Sequence, residues 1–215
     1  MIISKEELEQ ILKKLAKSGN TYSCEAQFQF ELAWELKKYF ELQKKNDYHV
    51  FLEYPSQDKD RKRYDIVIRK DNAHCVIELK YKTKDQPDLY YDGVAVELKN
   101  QAAQDLGRYD FLKDVMRIES FEENNPNKKL DCGYAVLLAN DSTYWEREGS
   151  TTLYRDFSLY NKREIPNTSL KWNWKDEVKE STVGKNRVDE LNIKGHYTVN
   201  WQPFNDKFKY LIFKI

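Results

Sequence analysis

The stretch Tyr64-Asp65-Ile66-Val67-Ile68-Arg69-Lys70-Asp71-Asn72-Ala73-His74-Cys75-Val76-Ile77-Glu78-Leu79-Lys80-Tyr81 decides how the rest of the chain is read. Two runs rich in β-branched residues, 64–69 and 74–81, flank a polar turn, which predicts two antiparallel strands joined tightly. Their near-continuous apolar centres predict a sheet covered on both faces. Side chains alternate along a strand, so Glu78 and Lys80 share one face and Leu79 takes the other. A charged pair in an otherwise apolar strand is costly unless it is paired or holds a metal. That leaves two readings of Ile77-Glu78-Leu79-Lys80, an ion-paired strand end or a site.

Working outward, residues 4–17 place Leu8, Ile11, Leu12 and Leu15 at helical spacing and end at Ser18-Gly19-Asn20. A second amphipathic helix runs from about Ser23 to Leu42 on Phe28, Leu32, Ala33, Leu36, Tyr39 and Phe40. Residues 48–54 read as a strand stopped at Pro55, and 56–63 as a charged loop. Beyond the hairpin, residues 83–97 read as a loop excursion, 98–123 as a helix stopped by Asn124-Asn125-Pro126-Asn127, and 133–140 as a buried strand. The aromatic-rich segments 154–160, 171–174, 197–204 and 208–215 read as a strand-rich extension. The expected fold is a single α/β domain with core order αβββαβ, a core over about 22–140 and an extension over about 141–215.

The chain has 215 residues, with 36 basic against 36 acidic side chains. Leu, Ile, Val and Phe make up 52 of the 215, about 24 %, above the roughly 20 % that marks disordered chains. Zero net charge argues against a protein that coats nucleic acid by bulk electrostatics, yet residues 59–84 carry nine Lys/Arg and four Asp/Glu, a local excess that would face phosphates. No apolar run approaches a membrane span, and the N-terminus becomes charged too early for a secretory segment. Cys24, Cys75 and Cys132 are scattered, odd in number and without a CxxC pair, which suits a reducing cytoplasm. His49, His74 and His196 are isolated, and no nucleophile elbow, P-loop or dinucleotide fingerprint is present.

The chemistry that would use Asp65, Glu78 and Lys80 is phosphodiester hydrolysis. Two carboxylates and the Leu79 backbone carbonyl make an oxygen site suited to Mg²⁺ (or Mn²⁺), with Lys80 beside the attacking water. A second Glu-Leu-Lys, at Glu97-Leu98-Lys99, falls at the apparent start of a helix, where i and i+2 side chains do not share a face, and reads as a solvated first turn.

A helix, then Asp65 at a strand start, then Glu78-Leu79-Lys80 on the next strand, then a helix carrying Gln101, Gln104 and Tyr109 resembles the PD-(D/E)XK nuclease superfamily, with its restriction-endonuclease-like fold. The resemblance implies that Asp65 and Glu78 bind divalent metal, that Lys80 helps position water, and that an acid on the first core helix joins them. Glu25 is the residue for that position. It further implies a nucleic-acid partner, DNA in the first instance, and admits a homodimer for cutting two strands. Tyr64 stands where the family's nominal proline would be. Gln104 to Tyr109 is one residue longer than the Gln-xxx-Tyr signature of some branches, although helical spacing would stack Gln101, Asp105 and Tyr109 on one face. The alternative of another class is the same fold without catalysis, a nucleic-acid-binding or protein-interaction module whose acids are structural ion pairs.

Overall fold

A computed structural model describes residues 1–57, 62–146, 153–173, 179–184 and 186–215. Helix α1 (Lys5–Lys17) opens on a capping box in which Ser4 Oγ accepts from Glu7 N at 3.1 Å and the Glu7 carboxylate accepts from Ser4 N at 2.6 Å. It buries the four apolar residues that set its period, Leu8, Ile11, Leu12 and Leu15. Helix α2 (Glu25–Leu42) follows, then strands β1 (His49–Pro55), β2 (Arg63–Lys70) and β3 (Ala73–Lys82). Both strand connections are antiparallel, and the β2–β3 turn is tight, with Asp71 at φ 50°, a left-handed conformation that Asp tolerates in such turns.

The excursion after β3 holds a small hairpin, β4 (Tyr90–Tyr91) and β5 (Val94–Ala95). Helix α3 (Gln104–Glu119) and a short α4 (Phe121–Asn124) precede β6 (Lys129–Ala139), which lies parallel to β3. The C-terminal third contributes the two-residue strands β7 (Glu164–Ile165) and β8 (Ser169–Leu170), a single turn α5 (Glu180–Val183), and then β9 (Leu191–Asn192), β10 (Tyr197–Thr198), β11 (Gln202–Pro203) and β12 (Lys209–Lys214). The main sheet is mixed and six-stranded, in the order β1-β2-β3-β6-β12-β11. The class is therefore α/β.

Both faces of that sheet are covered, as the apolar hairpin requires. Ile66, Ile68, Cys75, Ile77, Leu79 and Tyr81 pack with α1 and α2, while Val67, Val76, Ala135, Leu137, Leu211 and Phe213 pack beneath α3 and the C-terminal segments. Burying a side chain of this size stabilises by about 1.5–3 kcal/mol, so the alternation along β3 fixes which face meets which helix.

Two sequence-based expectations need correction. The helix expected from residue 98 starts at Gln104, because the preceding chain is anchored to the end of β3: Thr83 Oγ1 donates to Lys99 O at 2.8 Å and Gln101 N donates to Thr83 O at 2.9 Å. Ala103 then turns through a left-handed φ of 64°. Gln101 therefore shares no helical face with Asp105 and Tyr109, and Glu97-Leu98-Lys99 is irregular chain rather than a first helical turn. The second correction concerns the extension. Residues 209–214 form an interior strand of the main sheet, paired to β6, with Tyr210 and Ile212 buried on one face and Leu211 and Phe213 on the other. Residues 155–157 form a 3₁₀ turn rather than a strand, and Trp174 lies outside the described residues. Among the described residues no helix is long and apolar enough to cross a membrane.

Candidate active site

The site begins where β2 leaves β3. Their pairing runs from Lys70↔Ala73 to Ile66↔Ile77 and stops, whereas the β3–β6 ladder continues to Lys82↔Ala139. From Glu78 onward β3 therefore has a strand on one side only. Backbone N–H groups at such an edge need acceptors, and carboxylates supply them. Leu79 N donates to Asp65 Oδ2 at 2.6 Å, and Tyr81 N donates to Glu25 Oε2 at 2.7 Å. Asp65 N in turn lies 3.5 Å from Glu78 Oε2. Glu25 reaches this edge because it is the first residue of α2, whose Phe28 and Leu32 pin the helix to the sheet.

The other side of Asp65 is shaped by β1. Leu52 pairs with Ile66 and Tyr54 with Tyr64, but the intervening Glu53 has a left-handed φ of 50° and drops out of the ladder opposite Asp65. Gln29, on α2, fills the gap: its Nε2 donates to Asp65 O at 2.7 Å and to Glu53 Oε1 at 2.9 Å. A non-glycine residue held in that conformation inside a strand stores strain, of order 1–3 kcal/mol, that the surrounding structure must hold.

Glu78 and Lys80 point toward α3, as strand alternation requires, and α3 meets them with Asp114 and Arg117, one turn apart. Lys80 Nζ pairs with Asp114 and donates to Leu79 O at 3.2 Å. Arg117 Nη1 lies 3.0 Å from Glu78 Oε1, without the alignment of a hydrogen bond, and 3.3 Å from Asp114 Oδ1. The same guanidinium donates through Nη2 to Arg63 O at 2.8 Å and stands 5.1 Å from the centre of the Tyr64 ring. Glu78 is only 2 % exposed, so this charge balance is set inside the protein.

Glu25, Asp65, Glu78 and Asp114 thus face Lys80 and Arg117, with the Lys82 ammonium acting on Glu25 as well. Burial pushes the Asp65 carboxyl up to about 6, with Asp114 and Glu25 adding to the rise and Lys80 and the Leu79 N–H opposing it. Burial, then Asp114 and Asp65, push Glu78 well above the usual carboxylate range despite Arg117 and Lys80. Burial alone would lower Lys80, but Asp114, Glu25 and Asp65 outweigh it and hold the ammonium above its ordinary value. Lys80 therefore remains protonated at neutral pH, a donor and a positive charge rather than a base.

Acids crowded enough to raise one another's proton affinity, all offering oxygen, fit a hard divalent cation in their donor chemistry. Among the described residues, however, no group of three or more carboxylate, imidazole or thiol side chains is gathered closely enough to hold an ion as it stands. The positive charge these acids meet comes from Lys80 and Arg117 and, at Glu25, from Lys82.

Of the residues expected at the site, Glu25, Asp65, Glu78, Leu79 and Lys80 converge on the edge of β3 that β2 leaves unpaired. Gln101, Gln104 and Tyr109 do not. Gln101 and Gln104 border a separate cleft of about 260 Å³ with Thr83, Lys84, Asn100 and Asp141, where Gln104 Nε2 donates to Asp141 Oδ2 at 2.9 Å. Tyr109 is buried, stacked on Trp172 with ring centres 5.5 Å apart, and its hydroxyl donates to Asp189 O. The expected basic patch is also divided. Arg69 and Lys70 sit at the opposite end of β2, on Phe51 and Asp47, and residues 58–61 lie outside the described residues.

Asp114, Arg117, Gln29 and Glu53 were not anticipated. A signal existed for the first two, since they interrupt the buried stripe Phe111, Leu112, Val115 and Ile118 of α3, where a charge needs a partner. Comparison of this chain with protein-family models, with curated proteins and with solved structures found no match.

Proposed function

We propose that the protein is a Mg²⁺- or Mn²⁺-dependent nuclease that hydrolyses phosphodiester bonds, with DNA as the substrate, on a restriction-endonuclease-like core. The observation that carries this reading is the meeting of Asp65, Glu78, Lys80 and Glu25 at the edge of β3 that β2 vacates. The order α2-β1-β2-β3-α3-β6 supports this reading, since the PD-(D/E)XK resemblance implies a core of order αβββαβ. Asp65, Glu78 and the Leu79 carbonyl would hold the metal, with Glu25 beside them. A divalent ion there would supply Lewis acidity at a phosphoryl oxygen and lower the pKa of its water.

The chain's own residues divide the remaining work. Asp65 must be ionised to serve as a ligand, so metal affinity should rise with pH through about 6. Lys80, held protonated, orients water and stabilises charge on the phosphate through its Nζ hydrogens. Asp114 fixes the direction of that ammonium, and Arg117 limits the repulsion at buried Glu78.

One observation favours a second reading. Lys80 and Arg117 already pair with Asp114 and Glu78, as they would in a non-catalytic nucleic-acid-binding or protein-interaction module with structural ion pairs. Incubation with plasmid and linear DNA and either metal separates the two. The nuclease reading expects cleavage that falls roughly 10²–10⁴-fold in Lys80→Ala and in Asp65→Ala. Cleavage unchanged in both variants removes the site assignment, and no cleavage together with no calorimetric metal binding by the wild type favours the module.

A further inference from the structure

Of the three cysteines scattered along the sequence, the fold brings two together. Cys75 on β3 and Cys132 on β6 are register partners in the parallel ladder, and both side chains enter the core packed by α1 and α2. An irregularity in the ladder creates the pair. His74 faces Leu130 and Cys75 faces Cys132, so Asp131 is an extra residue on β6 with no partner on β3. Without that insertion Cys75 would meet Asp131. Neighbouring strands lie about 4.8 Å apart, inside the Cα separation of about 4.4–6.8 Å that a disulfide spans. The Cys75 thiol already donates a hydrogen bond to Cys132 Sγ. Cys24 is exposed, precedes α2 and belongs to neither strand.

Residues 2 and 3 cover the pair from the side of Cys132. Ile2 N donates to the Asp131 carboxylate, Cys132 Sγ donates to Ile3 O at 3.6 Å, and the Tyr134 hydroxyl donates to the same carbonyl at 2.8 Å. Cys132 is 3 % exposed and Cys75 not at all. The covering segment belongs to no helix or strand, so it can open locally while the sheet stays folded, and it uncovers Cys132 first. The hydrogen bond from Cys75 holds the Cys132 thiol below its ordinary value against the opposing effect of burial, while burial and then Cys132 push Cys75 up. Cys132 is thus the attacking sulfur and Cys75 the resolving one.

We propose that Cys75 and Cys132 are a reversible dithiol/disulfide site, oxidised by a small hydroperoxide, whose bond fastens β3 to β6. The Cys132 thiolate attacks one oxygen of hydrogen peroxide and breaks the O–O bond. Cys132 becomes a sulfenic acid, and the departing hydroxide takes up the proton that Cys132 gave up, as water. Cys75 sulfur then attacks Cys132 Sγ and breaks its S–O bond, and the expelled hydroxide leaves as a second water with the Cys75 proton. The two thiols lose two electrons and the peroxide gains them. A dithiol reductant reverses the bond by exchange. The closed loop runs from β3 through α3 and α4 to β6, and it restricts the unfolded chain more than the folded one. The site does not depend on the nuclease reading.

The test treats the folded wild type and Cys24→Ser with equimolar hydrogen peroxide, denatures them in N-ethylmaleimide and reads the digested peptides by mass spectrometry. The site predicts, in both proteins, a cross-linked pair of peptides holding Cys75 and Cys132, lighter than their sum by two hydrogen atoms. Dithiothreitol should return both thiols to alkylation. Cys75→Ser should stop at a Cys132 sulfenic acid that dimedone traps, and Cys132→Ser should leave Cys75 reduced; the wild-type cross-link stands whether or not these variants fold. The oxidised protein should also unfold at a higher urea concentration than the reduced one. Full alkylation of Cys75 and Cys132 after peroxide, disulfides that run only through Cys24, or a sulfinic acid at Cys132 without the cross-link overturns the site. A cross-link that forms only when peroxide is added in denaturing urea overturns it as well, since the folded chain would not then present the pair. Oxidised protein that is no more resistant to urea overturns the fastening of β3 to β6.

Discussion

The tripeptide Glu-Leu-Lys occurs at 78–80 and at 97–99, besides a copy inside helix α2 at 35–37, and in all three the leucine is buried. The flanking charges meet different fates. Glu97 and Lys99 lie exposed on irregular chain, while Glu78 is enclosed and Lys80 half-enclosed between β3 and α3. What separates the copies is what covers them. In the first, a strand that has lost one neighbour exposes N–H groups that draw in Asp65 and Glu25, and a helix lays Asp114 and Arg117 across the same charges. Three letters thus acquire chemical meaning from a sheet edge and a helix that are distant in sequence.

That contrast predicts unequal costs for equivalent substitutions. Arg117→Met leaves Glu78 buried without its nearest cation and should reduce stability by about 3 kcal/mol in urea unfolding. Glu78 is held above its unfolded value, so its contribution is present at low pH and is lost as pH rises through the folded value. The loss in Arg117→Met should therefore be larger at pH 8 than at pH 5. Lys99→Met, in the exposed copy, should change stability by less than about 0.5 kcal/mol. Equal losses in the two variants would dissolve the distinction.

Asp65→Asn should act in the opposite direction. The Asp65 carboxyl sits near 6 in the folded protein against an ordinary 3.8, so the folded state holds this proton more tightly than the unfolded one. Its contribution is complete below about pH 4 and is lost as pH rises through about 6. An asparagine keeps an acceptor for Leu79 N–H and never ionises. The variant should gain about 2–3 kcal/mol over wild type at pH 8 and less at pH 5. A difference between the two proteins that does not vary with pH would show that Asp65 is not desolvated at this edge.

Much of this geometry was legible in the residues. The Val/Ile runs around Asp71-Asn72 specify the hairpin, and strand alternation alone turns Glu78 and Lys80 to a common face away from Leu79. Glu25 was reachable as the acid that opens α2. The end of the β2–β3 ladder was not, because it depends on Glu53 leaving the register opposite Asp65 and on Gln29 bridging the gap, both long-range events. Asp114 and Arg117 read as solvent-facing from sequence, because charges on a helix usually face water. The helical spacing of Leu98 and Ala102 predicts an earlier start for α3, whereas Thr83 holds that segment against the end of β3. Likewise, nothing local marks 209–214 as an interior strand; pairing with β6 does.

The central claim is that the Glu-Leu-Lys at 78–80, and not the exposed copy at 97–99, is a metal-dependent hydrolytic site. Its most direct test is the rate of DNA cleavage in Mg²⁺ or Mn²⁺ by the wild type, Glu78→Gln and Glu97→Gln, prepared side by side and checked for folding. The account predicts cleavage by the wild type, the same rate in Glu97→Gln, and a loss of roughly 10²-fold or more in Glu78→Gln. Cleavage by Glu78→Gln at the wild-type rate would contradict it.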